Sequence, residues 1–182
     1  MKKTIVLMVV ILAATHSFAQ KFYTKNGLIS FYSKSSMEDI TADNNEVLSV
    51  INTTTGDLQF SVLNTGFHFK KALMEEHFNE NYMESDKYPK AIFKGKITNL
   101  SAVNFAKDGS YTVTVTGPLT MHGVTNTVTA DGTVTIKNGS ISATSKFKIK
   151  LADYEISIPS VVKNNIAEIV DVTVSCNYPN KM

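Results

Sequence analysis

The chain has 182 residues, a formal net charge of +2 and 43% hydrophobic residues, which suits one globular domain. Its charged residues are scattered, so nothing marks a nucleic-acid surface or an anionic-membrane patch. Cys176 is the only cysteine, which excludes an internal disulfide and leaves a hydrophobic core as the source of stability.

The chain opens MKKTIVLMVVILAATHSFAQ. Lys2 and Lys3 form a basic start, Thr4 to Ala14 an apolar run, and Ser17-Phe18-Ala19 a small-x-small cleavage site. This predicts a secretory signal peptide over residues 1–19, cut after Ala19. The apolar run is too short to span a bilayer comfortably. No later segment is apolar enough to cross one, so no transmembrane anchor is expected after cleavage. The domain at 20–182 is expected in the periplasm or secreted.

Strand candidates follow at Leu28 to Tyr32, Val47 to Ile51 and Leu58 to Val62, with a turn at Thr53 to Gly56. From Lys70 to Ser85 the pattern changes. Met74, Phe78 and Tyr82 recur at i, i+4 with Leu73 and His77 alongside, while Glu75, Glu76, Asn79 and Glu80 face away. That predicts one amphipathic helix of about four turns, ended before Tyr88-Pro89, where the chain must become extended. Ala91 to Leu100 is the next strand and Lys107 to Ser110 the next turn.

From Tyr111 onward the period is two. Tyr111, Val113, Val115, Gly117, Leu119 and Met121 share one parity, with Thr112, Thr114, Thr116 and Thr120 on the other. Across His122-Gly123 the apolar parity switches to Val124, Val128, Ala130, Val134 and Ile136. A hairpin turn there keeps both strands facing one interior. Asp131-Gly132 leaves parity unchanged and reads as an irregularity within a strand. Asn138-Gly139 reads as a hairpin turn, since both positions accept positive φ. Ile141, Ala143, Phe147, Ile149 and Leu151 follow on odd numbers, then Val170, Val172, Val174, Cys176 and Tyr178 on even numbers. About eight strands and one helix, each strand apolar on one face, fit either a β-sandwich or a closed antiparallel barrel. Long strands joined by short turns favour the barrel. Gly95 and Gly117 fall on inward positions, where they either relieve a sharp bend or leave volume along the axis.

Three blocks carry a family resemblance. FHFKKALMEEHFNENYMESDKYPKAIFKGKITNL (Phe67 to Leu100), YTVTVTGPLTMHGVTNTV (Tyr111 to Val128) and KFKIKLADYEISIP (Lys146 to Pro159) together resemble the YceI-like family. The resemblance spans roughly Lys21 to Tyr178. It implies an all-β fold with one helix, an extended eight-stranded antiparallel lipocalin-like β-barrel. It also implies a hydrophobic pore holding a long lipid, in some members a polyisoprenoid or fatty amide, in bacterial secreted or periplasmic proteins. Members often carry a glycine after the aromatic of the third block; here Glu155 follows Tyr154.

Catalytic and metal signatures are missing from the sequence. His68, His77 and His122 lack metal-ligand spacing, and no Cys or Asp cluster supports them, so no metal and no cofactor is expected. There is no G-x-S-x-G and no activated-cysteine motif. Cys176 reads as a small inward hydrophobe. Glu75 and Glu76, adjacent on a helix, do not face each other.

What the sequence offers is apolar side chains directed into a barrel: Phe60, Val62, Phe67, Phe69, Leu73, Met74, Phe78, Phe93, Tyr111, Val113, Val115, Phe147, Ile149, Tyr154 and Val172. By composition alone they would fill it, as cores are normally packed; the resemblance instead makes them pore lining, with His77 and His122 at the rim near a head group. The expected function is a non-enzymatic container for a lipid or isoprenoid, used in sequestration or transport. The alternatives are a solid-cored extracellular interaction module, or a hydrolase of hydrophobic substrates with His77 or His122 as base. Exposed barrel edges would admit a homodimer, although no motif encodes one.

Overall fold

The period-two alternation produces a wall of long strands, and a computed structural model describes it for residues 20–182. In chain order the strands are β1 (Lys21–Lys34), β2 (Asp39–Asn52), β3 (Asp57–Leu63), β4 (His68–Phe69), β5 (Lys90–Ile97), β6 (Gly109–Met121), β7 (Val124–Lys137), β8 (Ser140–Lys150), β9 (Ile169–Tyr178) and β10 (Asn180–Lys181). All pairings are antiparallel. Eight strands close on themselves in the order β1-β2-β3-β5-β6-β7-β8-β9, with β9 returning to β1. β4 adds to β2, and β10 adds to β1. The closed antiparallel barrel is therefore the architecture, and the sandwich is set aside. The expected signal peptide lies outside the described residues.

The N-terminal strands are longer than their apolar residues suggested. β1 and β2 run to 14 residues each and are joined by a tight turn in which Ser35 Oγ accepts from Glu38 N at 2.9 Å. Polar residues such as Asn44 and Ser49 are fully buried within β2, which masks the alternation. Asn44 Nδ2 donates to the Leu63 carbonyl at 2.8 Å, and Ser49 shares a buried hydrogen bond with the Tyr178 hydroxyl at 2.8 Å. Each polar group thus has the partner that burial demands.

The C-terminal half matches the parity reading. β6 and β7 pair without a break from Gly109–Ile136 to Met121–Val124. Their turn, His122-Gly123, has φ of 51° and 78°. Asn138-Gly139 has φ of 50° and 76° and joins β7 to β8. Positive φ at both central residues is the two-residue turn whose twist matches that of paired strands. Asp131-Gly132 stays inside β7, as its unchanged parity indicated. Two boundaries move: β5 stops at Ile97, and the turn before β6 falls at Asn104 to Lys107.

The expected four-turn helix over Lys70 to Ser85 is shorter. An α-helix, α1 (Ala72–His77), runs into a π-helical turn at Phe78–Tyr82. Lys71 is extended, with φ −120° and ψ 125°, so the helix cannot start earlier. It cannot run on because Glu84 takes φ of 44°. The π turn closes with Met83 N donating to the Phe78 carbonyl at 2.8 Å. Glu75 does not face away as expected: its carboxylate accepts Phe69 N at 3.1 Å and so fixes the helix to β4.

Gly95 and Gly117 have one role decided. A Cβ on Gly117 would lie 2.3 Å from Gly95 Cα and 2.5 Å from the Lys94 carbonyl oxygen. The ladder between β5 and β6 skips this point, with pairs at Phe93–Leu119 and Lys96–Thr116 on either side. The two glycines let the backbones touch at a bend; they do not create empty volume.

Candidate ligand-binding cavity

Opposite walls of the barrel do not meet. A cavity of about 420 Å³ occupies one end, within the range for small-molecule sites. A second of about 120 Å³ follows along the axis. Ile29, Val62, Ala91, Leu119 and Phe147 border both, so the two are consecutive compartments of one apolar interior.

The wide compartment is roofed by α1 and its π turn. Met74 and Phe78 point down from it, and Phe78 meets Phe31, Phe67 and Phe69 with ring centroids 5.6, 5.5 and 5.1 Å apart. Aromatic contacts at such distances add to simple burial. The helix is held at both ends. At its start, Lys71 Nζ pairs with Glu38 Oε1 at 2.5 Å, which ties it to the β1–β2 turn. At its end, Glu84 meets His122 of the β6–β7 turn.

The mouth lies between α1, the β1–β2 turn and the connection from β8 to β9. Met37 N donates to Asn164 O at 3.3 Å, and Ala167 N to Ser33 Oγ at 2.9 Å, so the β1–β2 turn also grips that connection. Among the described residues no hydrogen bond or ion pair joins α1 to residues 159–168. Residues with polar side-chain groups on this compartment are few: Ser33, Glu38, Asn64, Lys71, His77, Tyr82 and Asn165.

Most of the expected lining residues share this interior. Phe67, Phe69, Leu73, Met74, Phe78, Ile149 and Val172 border the wide compartment, Phe60, Phe93, Val113 and Val115 the narrow one, and Val62 and Phe147 both. Two do not line it. The Tyr111 hydroxyl donates to the Lys107 carbonyl at 2.9 Å, turning the ring toward the barrel end. Tyr154 sits in a 3₁₀ turn after β8 and is buried in the core behind the wall; burial raises its hydroxyl pKa.

The rim histidines separate. His77 borders the wide compartment. His122 does not: its side chain is only 11% exposed and fully engaged. Nδ1 lies 3.0 Å from the Tyr154 carbonyl oxygen, Nε2 2.9 Å from Glu84 Oε2, and the ring packs edge-on against Tyr88. It is a clasp holding three loops, with no free nitrogen for a head group. His68 stands apart, exposed, 3.6 Å from Glu75. Among the described residues no three His, Cys, Asp or Glu side chains gather to hold a metal ion.

Several wall residues went unrecognised in the sequence. Ile29 and Phe31 belong to β1, where bulges near Gly27 shift the register and obscure parity. Met83 follows the helix, and Ile156, Val162 and Ile166 come from the β8–β9 connection, which has no period to read. Leu119 and Met121 carried a signal, their inward parity on β6.

Comparison with known proteins agrees with this geometry. The family model described as YceI-like domain matches residues 12–178. A polyisoprenoid binding domain from Saccharophagus degradans superposes with a TM-score of 0.75 at 18% identity, covering 88% of this chain and 97% of that one. Burkholderia cenocepacia BcnA gives 0.67 at 17% identity, over 82% and 94%. The Campylobacter jejuni YCEI protein gives 0.53 at 17% identity, over 81% and 86%. No protein of curated function matches the chain.

Proposed function

The chain belongs to the YceI-like family, and on that premise we propose that it is a container for one long-chain amphiphile, with the tail in the barrel and the head at the mouth. The observation that carries this reading is the apolar interior of about 420 Å³ continued by a second compartment. Each methylene moved from water into such a site contributes about 0.8 kcal/mol. A tail of about ten buried methylenes therefore leaves several kcal/mol after the cost of association. No polar recognition group is required, which explains how a binding protein lacks a motif. The head group would meet Glu38, Lys71, His77 and Asn165 around the opening.

The ligand class is a polyisoprenoid or a fatty-acid-derived lipid. The Saccharophagus degradans relative supports it, being described as a polyisoprenoid binding domain. The role is sequestration or transport after export under the leader at 1–19, without chemistry on the ligand. Organic extraction of the protein purified from its host, followed by lipid mass spectrometry, tests the reading. We expect one hydrophobic ligand per chain. Protein that yields no lipid, and that takes up no fluorescent fatty acid either, refutes it.

A further inference from the structure

The mouth is ringed by apolar side chains that face outward. Met37 is 71% exposed, Leu73 60% and Val161 89%. They come from three different segments: the β1–β2 turn, the first turn of α1 and the β8–β9 connection. The Met37–Asn164 and Lys71–Glu38 contacts hold these segments side by side. Leu73 also borders the wide compartment, and Val162 beside Val161 does too. Apolar residues thus line the cavity wall at Leu73 and Val162 and stand exposed on the lip at Met37, Leu73 and Val161. Exposed apolar residues gathered at one place mark an interaction surface, whereas single scattered ones do not.

The charge around the lip says what kind of surface it meets. Both signs stand around the lip: Lys34, Lys70, Lys71 and Lys163 with Glu38, Asp39, Glu75, Glu76 and Glu168. Two pairs are closed, Lys71 with Glu38 and Lys163 with Glu168, the latter at 3.3 Å. Such a ring neither seeks an anionic membrane nor presents one sign of charge to a protein partner. It fits an electrically neutral surface entered by apolar side chains.

The geometry points to a docking lip: Met37, Leu73 and Val161 seat the cavity mouth on a zwitterionic lipid bilayer, so that a tail passes between membrane and barrel without crossing water. This rests on the container reading, and the test separates the two. Docking is reversible, because three side chains insert far less apolar surface than a membrane anchor does.

The folded chain, residues 20–182, is mixed with protein-free phosphatidylcholine vesicles and assayed by flotation. Uptake of pyrenedecanoic acid is then followed, once from vesicles and once from dilute aqueous monomer. The double variant Met37→Ser/Val161→Ser changes two lip residues that do not border the cavity. We expect it to lose about tenfold or more in flotation and in uptake rate from vesicles, from two lost apolar insertions. Uptake from aqueous monomer should be unchanged. Leu48→Ser, an exposed apolar site about 30 Å along β2 from the turn, should alter neither. Flotation of the parent chain should survive high salt. A parent chain that takes up monomer but does not float overturns the lip and leaves the container, and a partner protein at the mouth would give that same result. Flotation abolished by salt, or a double variant that floats as well as the parent, overturns it too. A chain that floats but takes up no probe by either route overturns the container instead.

Discussion

His122 Nε2 and Glu84 Oε2 lie 2.9 Å apart, and both residues have a left-handed backbone, with φ of 51° and 44°. They sit 38 residues apart in the chain. One closes the β6–β7 hairpin and the other ends the helical roof. Since His122 also reaches the Tyr154 carbonyl, a single ring fixes the roof, a hairpin and the start of the β8–β9 connection together.

Replacing His122 by Asn isolates this clasp, because Asn tolerates the left-handed backbone. The variant leaves the Tyr154 carbonyl without its partner. Glu84 is partly solvated and loses less. We expect a loss of about 1–2 kcal/mol, seen as a fall in Tm of several degrees. Affinity for a fatty acid should stay within about twofold, because the ring does not touch the cavity.

Glu155 caps the 3₁₀ turn Leu151–Tyr154 with φ of 57°. The left-handed backbone there is the conformation that glycine accepts without strain. A side chain there costs about 1 kcal/mol that glycine avoids. Glu155→Gly should therefore raise stability by up to about that amount, measured by urea denaturation, with ligand binding unchanged.

Cys176 is buried against Gly27, and burial pushes its thiol up to about 11. The raised value means the folded state holds its proton longer than the unfolded chain does. The stability this gives is complete below about pH 9 and is lost as pH climbs through 11. Two pKa units amount to about 2–3 kcal/mol. Burial moves the Tyr178 hydroxyl in the same direction, steepening the decline at high pH. Cys176→Ala should flatten the slope of unfolding free energy between pH 9 and 11. The native thiol should resist alkylation at pH 8 and react only once the barrel opens.

Ala91 borders both compartments, at their junction. Ala91→Phe should plug the passage while the wide compartment stays open. Long tails should lose about tenfold or more in affinity, having forfeited two or more buried methylenes. Tails short enough for the wide compartment should bind as before. Titration of a chain-length series of fatty acids reads this directly. Equal loss at every length would mean that the passage is not used.

Much of the barrel was legible in the C-terminal half. Val113 to Met121 and Val170 to Tyr178 alternate because, Pro118 aside, inward residues are apolar or glycine and outward ones polar. The turn at His122-Gly123 was legible in the parity switch across it, and the turn at Asn138-Gly139 in two residues that accept positive φ. In the N-terminal half Asn44 and Ser49 are buried with partners on other strands, so polarity no longer reports the face. The helix was overextended because i, i+4 spacing persists through a π turn and says nothing of Glu84's backbone.

The sequence by itself determined most of the inward-facing side chains of the C-terminal strands and the two hairpin turns that join β6 to β7 and β7 to β8, because both depend on residues within a few positions of each other. Only the tertiary structure decided how far apart the walls stand, that β9 returns to β1, and that His122 is engaged by Glu84 and Tyr154. Inward parity is the same for a filled barrel and a hollow one. The difference is a distance across the axis, set by closure of all eight strands at once.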